Sequence, residues 1–180
     1  TNSHGGTHLG KAVGSIWETF IVKDFLYAYD AFYPAMDDPE LIEYLSAKSK
    51  QYELGPFKYT STGIRKNIED GIVLQVFPGV KNATIRGNNG MHQSALALAA
   101  IVYDQMPQTG EWLDFVFQSG GLFSGPWRVT GGNIGATLVN DVDRDGHGDE
   151  ASPGYNRLWL NYFLETADIL NGYDLYESAD

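Results

Sequence analysis

Apolar residues recur at steps of three and four near the start of the chain, which predicts an amphipathic helix over residues 11–33. Pro34 ends or bends this helix, because proline has no N–H for the next backbone hydrogen bond. Asp38 then caps a second helix, which begins at Pro39 and ends near Gly55. The two segments together predict a helical hairpin.

The middle of the chain contains one ambiguous apolar segment and one strongly helical segment. Residues 72–77 fit either a buried strand or the tail of a helix, and periodicity does not separate the two. Residues 91–106 predict a helix, because residues 95–100 are all Ala or Leu, which are strong helix formers. A helix that is apolar on every side is usually central, so we expect this one to lie at the centre of the fold.

Glycine-rich segments separate the remaining elements. A short helix is predicted at 110–118, a glycine-rich connection at 120–135, and a last helix at 158–170 with Gly172 as its stop. The pattern therefore predicts one all-α domain over residues 1–180, built from helical hairpins with long glycine-rich loops.

Two of the predicted loops, at 87–92 and 133–155, are expected to carry function, since long structureless loops are uncommon in compact domains. The first leads into the central helix through Arg86, Asn88, Asn89 and His92. Amides and an imidazole beside the free N–H groups of a helix N-terminus suit an anion such as a carboxylate. The alternative is that one of the two asparagines simply caps the helix.

The second loop begins with an acidic segment, residues 141–150, whose first six positions match the calcium-loop pattern D-x-D-x-D-G. The candidate calcium ligands are Asp141, Asp143, Asp145 and Asp149. Position 12 of the loop is Ser152, where an EF-hand has a bidentate Glu, so a solvated acidic turn is the alternative. If calcium binds here, a chelator should lower the melting temperature.

The same loop ends with residues that suit proton transfer. Tyr155 follows a Pro-Gly turn and opens the last helix, and Arg157 lies two residues further on. A nearby cation stabilises a phenolate, which favours acid or base chemistry at Tyr155. The alternative is a packed Tyr whose hydroxyl is hydrogen-bonded. Glu150 is a candidate general acid for glycoside hydrolysis, although no partner carboxylate stands out.

Composition and charge exclude several classes of protein. The chain has 180 residues and no Cys, which excludes disulfide-stapled scaffolds, thiolate zinc sites, iron–sulfur proteins and cysteine nucleophiles. No window is long and apolar enough to predict a membrane span. The net charge of −11 argues against a nucleic-acid partner. The segment 65–86 is nevertheless locally basic, with four Lys or Arg against two acidic residues.

Three ordered segments resemble the helical domain of the heparinase II/III-like and alginate lyase family. They are residues 28–34 (AYDAFYP), 87–91 (GNNGM) and 145–156 (DGHGDEASPGYN). The resemblance implies helical hairpins of an (α/α) toroid. Toroids of this family are normally longer than this chain and are usually followed by a β-sandwich domain, so the chain is expected to be a fragment without that second domain.

The resemblance also implies the reaction, which is β-elimination at a 4-linked uronic acid of an acidic polysaccharide. Asn88 or Asn89 would neutralise the uronate carboxylate, with help from Arg86 or Arg157. His92 is the best local candidate for the base, and Tyr155 would donate a proton to the leaving oxygen. The motif departs from many relatives, which place a His directly after the Asn pair, where this chain has Gly90.

By the same resemblance, the protein is expected to be secreted or periplasmic, although residues 1–10 lack the features of a signal peptide. Two alternatives from other functional classes stay open at this point. One is a calcium-stabilised fragment that binds carbohydrate or has a structural role without catalysis. The other is a glycoside hydrolase on a similar helical toroid, with Glu150 as its general acid.

Overall fold

Helices account for most of the chain in the computed structural model, which describes residues 15–54 and 58–174. The α-helices are α1 (Glu18–Phe32), α2 (Pro39–Gln51), α3 (Ser61–Ile68), α4 (Leu74–Lys81), α5 (Met91–Tyr103), α6 (Gln108–Phe117), α7 (Ile134–Asn140) and α8 (Pro153–Leu170). Two short strands, β1 (Leu122–Ser124) and β2 (Trp127–Val129), pair antiparallel. The all-α prediction is therefore confirmed as a mostly helical fold, to which this hairpin is an unpredicted addition.

Helix α5 lies at the centre of the fold, as its apolar sequence predicts. Every residue from Met91 to Ala100 is buried, and the helix packs against α1, α6 and α8. Leu96 is among the largest side chains that are fully buried. Burial on all sides removes apolar surface from water, which is the main favourable contribution to folding. Because α5 is packed by three neighbouring helices, the loop at its N-terminus is attached to the centre of the core.

Helix α1 starts later than the sequence pattern predicts. A 3₁₀ turn (Ser15–Trp17) precedes Glu18, and the earlier part of the prediction, residues 11–14, lies outside the described residues. The helix ends just before Pro34, as predicted. Its buried side includes Leu26, which is fully shielded from water. The apolar periodicity therefore predicts the helix but not its buried face, because the buried residues include Glu18, Thr19 and Lys23, whereas Trp17 and Tyr27 of the apolar pattern are exposed.

Helix α2 has the predicted start. The carboxylate of Asp38 accepts a hydrogen bond from the N–H of Glu40 at 2.8 Å, which satisfies one of the free donors of the first turn. The helix ends at Gln51, and the predicted end near Gly55 lies outside the described residues.

Residues 72–77 are helical, so the strand alternative is wrong. Helix α3 continues through a π-helical turn (Glu69–Val73) into α4, and residues 61–81 form one helical segment. Val73 and Val76 are buried against the core. The apolar run therefore reflects burial of one helix face, which periodicity over six residues does not distinguish from a buried strand.

The glycine-rich connection predicted at 120–135 is wrong in part, because it contains the β1–β2 hairpin and the start of α7. Gly132 brings this segment against the end of α6, where its N–H donates to the carbonyl of Phe115 at 2.8 Å. A Cβ at Gly132 would overlap the carbonyl of Val116. The glycine is therefore needed for close backbone packing and does not mark a free loop. Helix α7 likewise occupies part of the loop predicted at 133–155.

The last helix begins five residues earlier than predicted, at Pro153 in place of Leu158. Proline suits the first turn of a helix, where its missing N–H has no intrahelical role. Gly172 follows the helix with a φ of 83°, which confirms it as the stop. Within the described ranges, no helix has the length and apolar character needed to cross a bilayer.

Candidate functional site

A cavity of about 240 Å³ opens at the N-terminus of α5, and we call it the α5 cleft. Its walls are the loop before α5, the base of the β1–β2 hairpin, residues 131–133, and the segment that leads into α8. The sequence-predicted residues that line it are Arg86, Asn88, Asn89, His92 and Glu150. The central helix and a loop some sixty residues further along the chain therefore contribute to one site.

The Asn pair does not cap α5, so the capping alternative is wrong. Gly90 occupies the N-cap position with a φ of 90°, and its N–H donates to the side-chain oxygen of Gln93 at 2.8 Å. The Gln93 amide in turn donates to the carbonyl of Gly132 at 2.8 Å. Within the described part of the chain, neither Asn88 nor Asn89 makes a side-chain hydrogen bond. Both amides therefore remain available to a ligand in the α5 cleft.

Gly90 lies where the loop before α5 contacts α8. A Cβ at this position would lie 2.5 Å from the Cβ of Tyr162 on α8, and its positive φ disfavours any other residue. In this chain, the position directly after the Asn pair is therefore needed for packing of the loop against α8. His92 is the second residue of the helix and is the imidazole among the residues that line the α5 cleft.

His92 is buried, and burial lowers the pKa of its imidazole to about 4, against a weaker opposite effect of a hydrogen bond with the Gly87 backbone. The ring is therefore neutral at pH 7. Its Nδ1 atom is buried without a hydrogen-bond partner, and so is the indole Nε1 of Trp159, which also lines the α5 cleft. Unpartnered buried polar atoms are rare in native proteins, and here two of them border the same cavity.

This lowered pKa predicts an acid-sensitive contribution to stability. Between about pH 6.5 and pH 4 the unfolded chain binds the His92 proton and the folded chain does not, so stability is lost as the pH falls. We expect this loss to be about 3 kcal/mol. Denaturant unfolding between pH 7 and pH 4 measures it. The exposed His147 provides the control: His147→Gln should keep the acid sensitivity that His92→Gln removes. Equal pH profiles for the two variants would contradict the burial effect.

Arg86 supplies a cation to the α5 cleft. Its guanidinium lies 4.6 Å from the ring centre of Trp127 in β2. None of the ion pairs in the described ranges includes Arg86. Stacking on an aromatic ring holds the guanidinium in place without neutralising it, so its charge is free to act on an anionic ligand.

Glu150 is held at the α5 cleft by Asn156, a residue that the sequence pattern does not single out. The side chain of Asn156 is buried, accepts from the Glu150 N–H at 3.1 Å and donates to the Glu150 carbonyl at 2.8 Å. Its Nδ2 also lies 3.3 Å from Nδ1 of His147. Asn156 therefore attaches the end of the acidic loop to the first turn of α8.

Tyr155 and Arg157 lie on the first turns of α8 and are exposed to solvent. Neither is among the residues that line the α5 cleft. The structure thus brings together five of the seven predicted catalytic and substrate-binding residues, and it leaves these two on the helix that carries Trp159.

The acidic loop forms a closed turn that is held by backbone hydrogen bonds and by one of its carboxylates, that of Asp145. The Asp143 N–H donates to the carbonyl of His147 at 2.7 Å, and the Gly146 N–H donates to the carbonyl of Asp143 at 2.9 Å. Asp145 accepts from the His147 N–H at 3.2 Å. The four predicted ligands, Asp141, Asp143, Asp145 and Asp149, are all exposed. In the part of the chain that the structure describes, no group of three or more acidic, His or Cys side chains is arranged to hold a metal.

Calcium binding at this loop therefore stays a prediction of the sequence pattern. No step of the reaction that we propose for the α5 cleft requires it. The pattern predicts that excess chelator lowers the melting temperature, because an ion that binds only the folded chain stabilises it. Thermal unfolding with and without chelator, followed by calcium readdition, measures the effect. An unchanged melting temperature would show that the loop is a solvated acidic turn.

No protein-family model, curated protein or solved structure matches the chain. The resemblance to the lyase family therefore rests on the three ordered motifs.

Proposed function

We propose that this chain is the helical domain of a polysaccharide lyase and forms part of an (α/α) toroid. The lyase would cleave an acidic, uronate-containing polysaccharide by β-elimination. The observation that carries the proposal is the content of the α5 cleft. It holds two amides without hydrogen-bond partners, an unpaired guanidinium and a buried neutral imidazole in one cavity. These groups suit two parts of the reaction, which are neutralisation of the uronate carboxylate and removal of the C5 proton.

The first requirement is to make the C5 proton of the uronate acidic. The negative charge of the neighbouring carboxylate opposes formation of a second negative charge at C5. Amide N–H groups of Asn88 and Asn89 and the Arg86 guanidinium would hydrogen-bond to that carboxylate and offset its charge. Because the amides are not used in capping α5, this interaction requires no rearrangement of the helix.

The second requirement is a base and an acid. His92 is neutral at pH 7 and would accept the C5 proton. The C5–H electrons form the C4=C5 double bond as the C4–O bond breaks. The Tyr155 hydroxyl would give its proton to the leaving oxygen, and proton exchange with water restores both residues. Arg157, two residues from Tyr155, and Glu150 at the cleft would bind the sugar chain on either side of the reacting unit.

The unsaturated product provides the test. The chain is incubated with 4-linked uronate polymers, including alginate and heparan sulfate, and with a neutral polymer as control. The expected result is a new ultraviolet absorbance from the C4=C5 bond, found only with uronate polymers. New reducing ends without this absorbance would favour a glycoside hydrolase that uses Glu150, which lines the α5 cleft. Binding without either signal would favour a non-catalytic carbohydrate-binding fragment.

A polymeric substrate of this kind is too large to enter a cell, so the proposal includes a secreted or periplasmic location for the protein.

A further inference from the structure

The β1–β2 hairpin separates the α5 cleft from a second cavity. Adjacent residues of a strand point to opposite faces, and cross-strand partners share a face. Leu122 pairs with Val129, and both line the α5 cleft. Phe123 pairs with Arg128, which therefore belongs to the other face. Arg128 lines the second cavity, and Val129 borders both. The two cavities are neighbours that share Val129 of strand β2.

This second cavity has a volume of about 480 Å³, and we call it the Lys81 cavity. It lies between the end of α4, helix α6 and strand β2. Its polar side chains include two cations, Lys81 and Arg128, and the amides of Asn82 and Gln118. No acidic residue is among those that line it.

Both cations are held against aromatic rings. The ammonium of Lys81 lies 5.0 Å from the ring centre of Phe77, and the guanidinium of Arg128 lies 5.1 Å from that of Phe123. Neither cation belongs to an ion pair within residues 15–54 and 58–174. In a chain with a net charge of −11, two unpaired cations in one cavity form a local site of attraction for anions.

We propose that the Lys81 cavity is a second subsite of the substrate groove, which binds the carboxylate of another uronate unit in the same polysaccharide chain. This inference rests on the proposed function, because it takes the acidic polymer as ligand. Lys81 and Arg128 pair with the carboxylate, and the Asn82 amide donates a hydrogen bond to it. The β1–β2 hairpin then lies beneath the polymer, with one charged unit on each side.

The test compares two double variants with the same change in net charge. K81Q/R128Q removes the cations of the Lys81 cavity. K48Q/K50Q is the control, since those two lysines also lie over aromatic rings, of Tyr44, Tyr52 and Tyr59, but do not line the cavity. Lys81 and Arg128 are exposed, so we expect K81Q/R128Q to fold, which its melting temperature checks.

Affinity is measured by calorimetry for a uronate disaccharide and a uronate hexasaccharide at low and high salt. K81Q/R128Q should bind the hexasaccharide about tenfold more weakly at low salt, as expected for a lost charge-assisted hydrogen bond. Disaccharide binding should not change, and the difference between variants should shrink at high salt. K48Q/K50Q should match the parent chain with both ligands.

Equal hexasaccharide affinities for the two double variants would overturn the subsite, and so would failure of the parent chain to prefer the hexasaccharide. The lyase proposal is tested separately by the unsaturated product. If no such product forms but K81Q/R128Q still weakens hexasaccharide binding selectively, the subsite stands and the lyase reaction falls. If product forms and the two variants bind alike, the reaction stands without this subsite.

Discussion

Tyr155→Phe is expected to lower kcat on a uronate polymer by about 10²–10⁴-fold, the usual contribution of a positioned general acid. The change removes only the hydroxyl, so binding of the polymer and the melting temperature should stay near those of the parent chain. Tyr155 is half-exposed, and within the described residues its hydroxyl makes no hydrogen bond that would be lost. Steady-state kinetics on the absorbance of the unsaturated product measure the effect.

A substrate with a better leaving group sharpens this test. A uronide whose leaving group is an acidic phenol needs little protonation as the C4–O bond breaks, so Tyr155→Phe should turn it over almost as fast as the parent chain does. Tyr44→Phe is the matched control, because Tyr44 is also exposed but lies on α2, whereas Tyr155 lies on α8, the helix that carries Trp159 of the α5 cleft. Parent-level turnover of the natural polymer by Tyr155→Phe would end the role of Tyr155 as the acid.

Much of the helical framework follows from local sequence signals. The Ala and Leu residues of α5 predict this helix by themselves, and Asp38, Pro34 and Gly172 mark helix boundaries where the sequence predicts them. Each of these signals depends only on residues within one or two helical turns, so it can be read from the local sequence. The β1–β2 hairpin was missed because strands of three residues are too short to show an alternating pattern.

The residues of the candidate site likewise fall into two groups, those that are close in sequence and those that meet only through packing of the helices. Arg86, Asn88, Asn89 and His92 are close in sequence, so one loop predicts their proximity. One further residue of this loop had a readable signal, because Gln93 stands three positions after the N-cap, at the spacing of a capping box. Glu150 and Trp159 reach the same cavity only through the packing of α8 on α5. No local sequence pattern predicts such a contact, so the sequence does not place Glu150 at this cavity.

The same packing buries a charge pair that the sequence does not reveal, between α1 and α8. The ammonium of Lys23 lies 2.6 Å from a carboxylate oxygen of Glu165, 142 positions away, and 3.4 Å from the hydroxyl of Ser94 on α5. It also lies 4.5 Å from the ring centre of Tyr162, and the Lys23 side chain is only 7% exposed. Among the ion pairs of the described residues, the one that includes Lys23 is with Glu165, whose carboxylate offsets the buried positive charge.

Glu165→Ala is expected to lower the free energy of unfolding by about 2 kcal/mol, since it leaves a buried ammonium without a counter-charge. The expected loss is below that of a fully buried pair because the Glu165 side chain is 29% exposed and water screens part of the interaction. Denaturant unfolding at neutral pH measures it. The double variant Lys23→Met with Glu165→Leu should recover most of the loss, because it removes both charges and fills the space with apolar atoms.

Asp70→Ala provides the matched control for this cycle. Asp70 pairs with Lys66 at 2.9 Å, but both side chains are largely exposed, so solvent stabilises the lysine when its partner is removed. Little change in stability is expected there. Burial of the cation, not the presence of an ion pair, should therefore decide which variant is destabilised. Equal effects of Glu165→Ala and Asp70→Ala would mean that water reaches Lys23 between α1 and α8, and would contradict the burial on which the prediction rests.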